Sequence, residues 1–539
     1  MKSNFITPSK FDLLIKAFPF LLFTYLTFSY FLIKNLQKLI DFFEEAFLEI
    51  KLLLQKAFLE ISVLGKNEKA LFYTSIVLLS LYRLYFINNY YIHIDEAFSY
   101  VFIVNKGFPA VISYYPGPNN HVGYLFLVKF FDLFFSDPKW ALRLPTFFAS
   151  ILLFIFQFVL VKRYFGFYLA LSASILFGFS EYGNFYSTHG RGYILLTLLT
   201  FLSYFFLLSA SIRKQPSTYY FFFIISSSLA FYTLPTFLYP FLTLIILTFF
   251  FLLSSWNIQH LKYLLISCAV ITGATLFLYL PILTVSGIDA IIGNRWVKSL
   301  SWVEYISQLP LYLWKTSGTF YSLESFGGLI TLINILAWIT IFFKPSSSCS
   351  LSPLQQKRLS LAILFSYSIP FLIISLQRVL PFHRVWLYQS FFEYTSLTIA
   401  SYLVVKPIYK GTIRPSVIIF FCTCYILFFL KFTAYQAFEE KGPYGSVEKF
   451  LSTIDRSKDY FFYISYDTYN VMLRYEGLKQ IDTNWTFLKY GEQQNHSPDF
   501  IILKRSEKAE LDKTIYHKVI IDAYAHIYKK RLLNQVKQP

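Results

Sequence analysis

Residues 145–162 read PTFFASILLFIFQFVLVK, a run with no charge until Lys162, and Arg163 follows at once. A helix rises about 1.5 Å per residue, so a run of this length crosses most of the roughly 30 Å of a bilayer's hydrocarbon. Apolar runs of similar length recur at 70–88, 167–181, 193–210, 218–233, 236–254, 262–284, 327–343, 359–376, 385–405 and 416–434. Together they predict a polytopic α-helical membrane protein with about 11 transmembrane helices, and 12 or 13 if other apolar stretches also cross. Residues 11–33 are apolar but interrupted by Lys16 and Pro19, a pattern that fits either a span or an interfacial helix. Residues 34–64 place Leu39, Phe42, Phe43, Leu48 and Ile50 at helical spacing among Lys and Glu, which reads as an amphipathic surface helix.

Composition agrees. Hydrophobic residues make up 56% of the 539 and charged residues only 14%, whereas a soluble domain carries about 25% charged. The net charge of +18 would suggest nucleic acid in a soluble protein. Here the cations fall in short loops between apolar runs, so no nucleic-acid partner is expected. Four cysteines, Cys268, Cys349, Cys422 and Cys424, have neither zinc spacing nor a disulfide framework. No short apolar core with a small-residue cleavage site opens the chain, so no secretory signal is expected.

If the runs alternate in direction, Lys162-Arg163, Arg213-Lys214, Lys262, Lys357-Arg358 and the Lys406–Arg414 loop all fall on one side. The positive-inside rule makes that side cytoplasmic. Residues 89–144, 182–192 and 285–326 and everything after 434 then face outward. The expected organisation is an amphipathic, membrane-associated extension (1–69), a transmembrane module (70–434) and a small extracytoplasmic α/β domain (435–539). In this last part strand-length runs, 460–464 and 500–503, flank a helical stretch at Tyr469–Glu476.

The outward segments hold the candidate chemistry. Asp95-Glu96 follows the first confident span directly, and two carboxylates there are costly unless solvated or used. They suit a catalytic base, and they equally suit a helix cap, with Asp95 opening a helix through Ala97 to Val104. The Tyr114–His121 turn adds Asn120 and His121, whose donors and acceptors suit sugar hydroxyls. Residues 180–193 add Glu181, His189, Arg191 and Tyr193. An arginine against the positive-inside bias suits a phosphate, which its planar fork recognises, and it equally suits snorkelling to the lipid headgroups. Pro381–Trp386 adds His383 and Arg384, with Arg295, Lys298 and Arg378 behind them. Trp296, Trp302 and Trp314 suit either sugar stacking or an interfacial aromatic belt.

The order of these motifs resembles the polyprenyl-phosphate-dependent GT-C glycosyltransferases, in particular the group that includes the aminoarabinose lipid A transferases and the protein mannosyltransferases. The resemblance rests on Asp95-Glu96 after the first span, the Tyr/Pro/Asn turn, and Leu142-Arg143-Leu144-Pro145 entering the second. It also rests on Tyr186-Ser187-x-x-Gly190-Arg191-Gly192-Tyr193, close to the group's Tyr-Ser-x-x-Ala-Arg-x-Tyr, and on Pro381-Phe382-His383-Arg384-Val385-Trp386. The Lys-Pro-Pro turn of the aminoarabinose transferases is absent, and Pro116–His121 stands in its place.

The resemblance implies a GT-C fold and transfer of a hexose or pentose from a lipid-phosphate carrier to an envelope glycan, lipid or protein. The site would face the exterior or periplasm from a bacterial inner membrane. It implies Asp95 as general base with Glu96 orienting it or helping His121 or Glu181 hold Mg²⁺ or Mn²⁺. Arg191 and Arg384 would take the phosphate, with His383, Tyr193, Asn120, His121, Glu181 and Arg295 around the substrate. The competing readings are a transporter or flippase, another lipid-linked glycan enzyme, and a non-catalytic assembly protein that anchors its external α/β domain.

Overall fold

The computed structural model describes residues 36–539 other than 118–119, 214–215, 255–256, 293–296, 347–349, 409–414, 440–441, 480–483, 490–496, 508–514, 522–523 and 532–539, with scattered positions between 19 and 34. Most of 11–33, and Arg295 and Trp296, therefore lie outside the described residues.

Every one of the eleven apolar runs is a helix. Among the described residues six helices are long and apolar enough to cross a membrane: Lys66–Asn89, Pro138–Phe165, Tyr193–Ala210, Pro235–Ser254, Ile258–Val285 and Pro353–Gln377. Shorter apolar helices include Phe167–Gly178, Gly327–Phe343 and Ser416–Leu430. Their starts are written locally. Asp137 caps the amide of Lys139 with Pro138 at the first turn, and Ser352 with Gln355 forms a capping box ahead of Pro353–Gln377.

The two ends of the bundle differ. At one, the basic loops gather: Ser350 donates to the Tyr164 carbonyl, Arg358 lies 5.9 Å over the Phe251 ring, and Glu60 meets Lys162. At the other end the short helices Ile94–Phe102, Val122–Phe131 and Glu181–Thr188 converge. The candidate residues are there.

The C-terminal part is a five-stranded sheet of order β2-β1-β3-β5-β4, with β1 Tyr460–Ile464, β2 Trp485–Lys489, β3 Phe500–Lys504, β4 Tyr516–Ile521 and β5 Ala525–Lys530. β1 runs parallel to β2 and β3, and β5 is antiparallel to β3 and β4. Its helix Asp467–Gly477 shares one core with Ile94–Phe102. Ile92, Ala97, Tyr100 and Val101 pack with Tyr469, Met472 and Leu473, and the Tyr100 and Tyr475 rings meet edge to face at 6.0 Å.

The tail is thus the platform under the helix that carries Asp95. Leu473→Ala, at a fully buried position, is expected to lose about 2–5 kcal/mol and to lower activity without touching the site. A melting curve of the purified protein beside a transfer assay checks this. An unchanged melting temperature would show that the packing is dispensable.

Candidate active site

Ile94–Phe102 begins with a capping box built on His93, not on Asp95. The His93 Nδ1 accepts from the Asp95 amide at 3.2 Å, and the Glu96 carboxylate accepts from the His93 amide at 2.8 Å. This places the two adjacent carboxylates in different surroundings. Glu96 points inward and is fully buried; Asp95 keeps 27% of its side chain exposed.

Glu96 binds the guanidinium of Arg143 through both oxygens, at 2.9 Å from Nε and 2.8 Å from Nη2. Arg143 then donates to the carbonyls of Ile87, Tyr90 and Tyr91, so all five of its N–H groups are used. Glu96 also accepts the Gly190 amide at 2.5 Å. Burial pushes the Glu96 carboxyl up, but Arg143 and its other donors outweigh this and hold it far below the usual carboxylate range. One ion pair therefore fastens the helix Lys66–Asn89, the Asp95 helix and the Gly190 turn together.

That turn leaves little room for a side chain at position 190. A Cβ on Gly190 would lie 2.8 Å from Glu96 Oε1 and 3.0 Å from Leu142 Cβ. Gly190→Ala is expected to shift the Arg191 loop and lower activity more than stability. A side-by-side activity assay and melting temperature distinguishes the two effects; unchanged activity would refute it.

Asp95 faces two cations. Its Oδ2 lies 3.4 Å from Arg191 Nη1 and 3.9 Å from Arg384 Nη1. Burial raises the Asp95 carboxyl, yet Arg191, then His93 and Arg384, outweigh it and leave it below the usual carboxylate value. Arg191 is 5% exposed and Arg384 34%. The Tyr193 ring lies 5.8 Å from the Arg191 guanidinium, and the His121 ring packs beside its Nη2. The His121 Nδ1 accepts the Gly192 amide at 2.9 Å. Burial, then the two arginines, keep His121 well below its ordinary value and so neutral. Arg384 lies over the Phe382 ring at 4.5 Å and beside Tyr193.

The other candidates lie apart from this group. His383 turns away, its Nδ1 2.8 Å from the Thr316 hydroxyl and its ring stacked on Tyr312. Asn120 is fully buried and donates to the Tyr114 carbonyl, folding its own turn. Glu181 opens the helix Glu181–Thr188, beside Tyr394. Arg378 lies over Trp302.

The arrangement does not suit a divalent cation. Asp95 looks onto two guanidiniums, Glu96 is committed to Arg143, and the His121 Nδ1 is taken. Among the described residues no three His, Cys, Asp or Glu side chains gather as ligands. The site attracts an anion.

Residues 121–272 match the family model of the dolichyl-phosphate-mannose–protein mannosyltransferases. That stretch contains His121, Arg191 and Tyr193 but ends well before Arg384. No curated protein sequence matches the chain. Among solved structures, ArnT from Cupriavidus metallidurans bound to undecaprenyl phosphate is similar at a TM-score of 0.55 and 11% identity, covering 86% of this chain and 98% of that one. Its apo form is similar at a TM-score of 0.57 and 12% identity, covering 85% and 98%. The chain has the GT-C glycosyltransferase fold. The sequence alone offers no role for two buried residues of the candidate site. Arg143 stands in the Leu142–Pro145 motif, but its partner Glu96 lies 47 positions away. His189 stacks on Phe185 at 4.1 Å and is driven by burial down to about 3, so it is a neutral wall behind His93.

Proposed function

We propose that the chain transfers a sugar from a polyprenyl-phosphate carrier to a glycan, lipid or protein acceptor, at the membrane face opposite the basic loops. The observation that carries this reading is the partly open Asp95 carboxylate held between Arg191 and Arg384. A structure of the same fold with undecaprenyl phosphate bound, that of ArnT, supports a lipid-phosphate donor.

In this reading the acceptor hydroxyl attacks the anomeric carbon as the bond to the phosphate oxygen breaks. The electron pair leaves with the phosphate, and the hydroxyl proton passes to Asp95. Arg191 and Arg384 take the charge that grows on the departing phosphate. By themselves they hold Asp95 as an anion and a weak base. A bound phosphate competes for both guanidiniums, so Asp95 becomes more basic when the donor is in place. Arg191→Ala and Arg384→Ala are each expected to weaken donor binding by roughly ten- to a hundredfold. The larger loss belongs to Arg191, the more buried of the two.

The decisive experiment deletes the gene, restores it, and compares glycolipids, surface polysaccharides and glycoproteins by mass spectrometry. A fixed sugar mass lost on deletion and regained with the wild type supports transfer and names both sugar and acceptor. An unchanged glycan profile would rule the reading out.

A further inference from the structure

The residues before 66 take no part in the reaction above, and the structure gives them another use. The helix Leu36–Ser62 lies across the basic-loop end of the bundle, tied at two points. Glu60 meets Lys162 at 2.6 Å, and Glu49 accepts from the Tyr219 hydroxyl at 2.8 Å with Arg213 at 3.3 Å. Between the ties it roofs a groove of about 350 Å³. Phe156 and Val159 form one wall, Phe222 and Ile225 the other, and Leu202 and Phe206 the floor. Ser226, also in the lining, is already satisfied by the Phe223 carbonyl, so the interior asks for nothing polar.

The mouth is different. Lys56, Glu60 and Arg163 line it; the Glu60 carboxylate is held by Lys162, and the other two are exposed. Lys162 and Arg213 are spent on Glu60 and Glu49, whereas neither Lys56 nor Arg163 has a carboxylate partner among the described residues. The outer stripe of the same helix, Phe43, Phe47 and Phe58, is 54%, 73% and 70% exposed. Such a stripe belongs in acyl chains, which sets the helix in the membrane interface and the groove mouth at headgroup depth.

We propose that this groove holds an anionic phospholipid of the leaflet on the basic-loop side, with an acyl chain along its apolar walls and the phosphate diester between Lys56 and Arg163. A basic pocket between spanning helices on that side has the chemistry that recognises such headgroups. The groove is not a second view of the donor site, because it opens at the end of the bundle away from Asp95, Arg191 and Arg384.

Native mass spectrometry of the full-length protein in detergent tests this, with phosphatidylglycerol and phosphatidylethanolamine of matched chains. The wild type is expected to keep phosphatidylglycerol preferentially. Lys56→Gln with Arg163→Gln is expected to lower that occupancy about tenfold and to leave phosphatidylethanolamine unchanged. Ile225→Trp, which fills the groove from one wall, is expected to lose both lipids, and Arg163→Lys to keep the preference. Equal retention of the two lipids by the wild type, or unchanged phosphatidylglycerol in the double variant, would overturn the proposal. So would displacement by undecaprenyl phosphate at equal concentration. The readout is binding, so it stands or falls separately from sugar transfer.

Discussion

Asp95→Asn is expected to leave the chain folded in the membrane and to lower sugar transfer about a thousandfold, within the range that a positioned general base contributes. The amide has the size of the carboxylate, and Asp95 is partly exposed with ion-pair distances of 3.4 and 3.9 Å, so little stability rests on it. The informative quantity is the split between kcat and KM. Removing the anion frees Arg191 and Arg384 for the donor phosphate, so KM for the donor is expected to stay level or fall while kcat collapses. If Asp95 served only to align the arginines, its loss would raise KM instead, and kcat at saturation would survive.

The pH profile gives a second check. Arg191, then His93 and Arg384, hold the Asp95 carboxyl below its usual range, so the ionised form of the proposed base persists as pH falls. The acid limb of kcat/KM is therefore expected below the ordinary aspartate value of about 4. The limb of kcat is expected higher, because bound phosphate draws the guanidiniums away. Asp95→Asn should erase both limbs; a surviving acid limb would assign it to another group.

The bundle was legible because each apolar run is long, nearly charge-free and bounded by basic loops, and the helices fall where those runs do. In the C-terminal part, β1 and β3 were legible as short runs of Phe, Tyr and Ile. β2, β4 and β5 mix Lys, Thr and His with their apolar residues, and they become strands through pairing with neighbours that a linear reading does not see. The site was half legible for the same reason. Motif order pointed to Asp95, Arg191 and Arg384. That Arg191 and Arg384 meet at a single oxygen of Asp95 is a consequence of three distant segments arriving at one end of the bundle. Asp95 and Glu96 are neighbours in sequence, but a helix turns about 100° per residue, which leaves Asp95 partly exposed and sends Glu96 into the core.

That separation makes the second large effect a structural one. Glu96→Gln is expected to cost about 3–5 kcal/mol, the range for breaking a buried ion pair and leaving one charge uncompensated. Glu96 and Arg143 are both 0% exposed. Arg143→Lys should cost a similar amount, since an ammonium cannot replace the fork that reaches Glu96 and the carbonyls of Ile87, Tyr90 and Tyr91 together. Replacing both residues by leucine tests the assignment further. Many buried pairs tolerate such an exchange, but here it would also orphan those three carbonyls and the amides of His93 and Gly190, each at a cost of about 1–3 kcal/mol. The double variant is therefore expected to be no more stable than either single one. The pH dependence follows from the depressed Glu96 carboxyl. Its contribution is complete above the unfolded value near 4.3 and fades only as pH falls toward the much lower folded value, so the melting temperature should not vary through this pair between neutral pH and about pH 5. Melting of the purified variants in detergent decides the matter: a double leucine variant as stable as the wild type would reduce the pair to a replaceable core contact, and the Gly190 turn would then owe its position to something else.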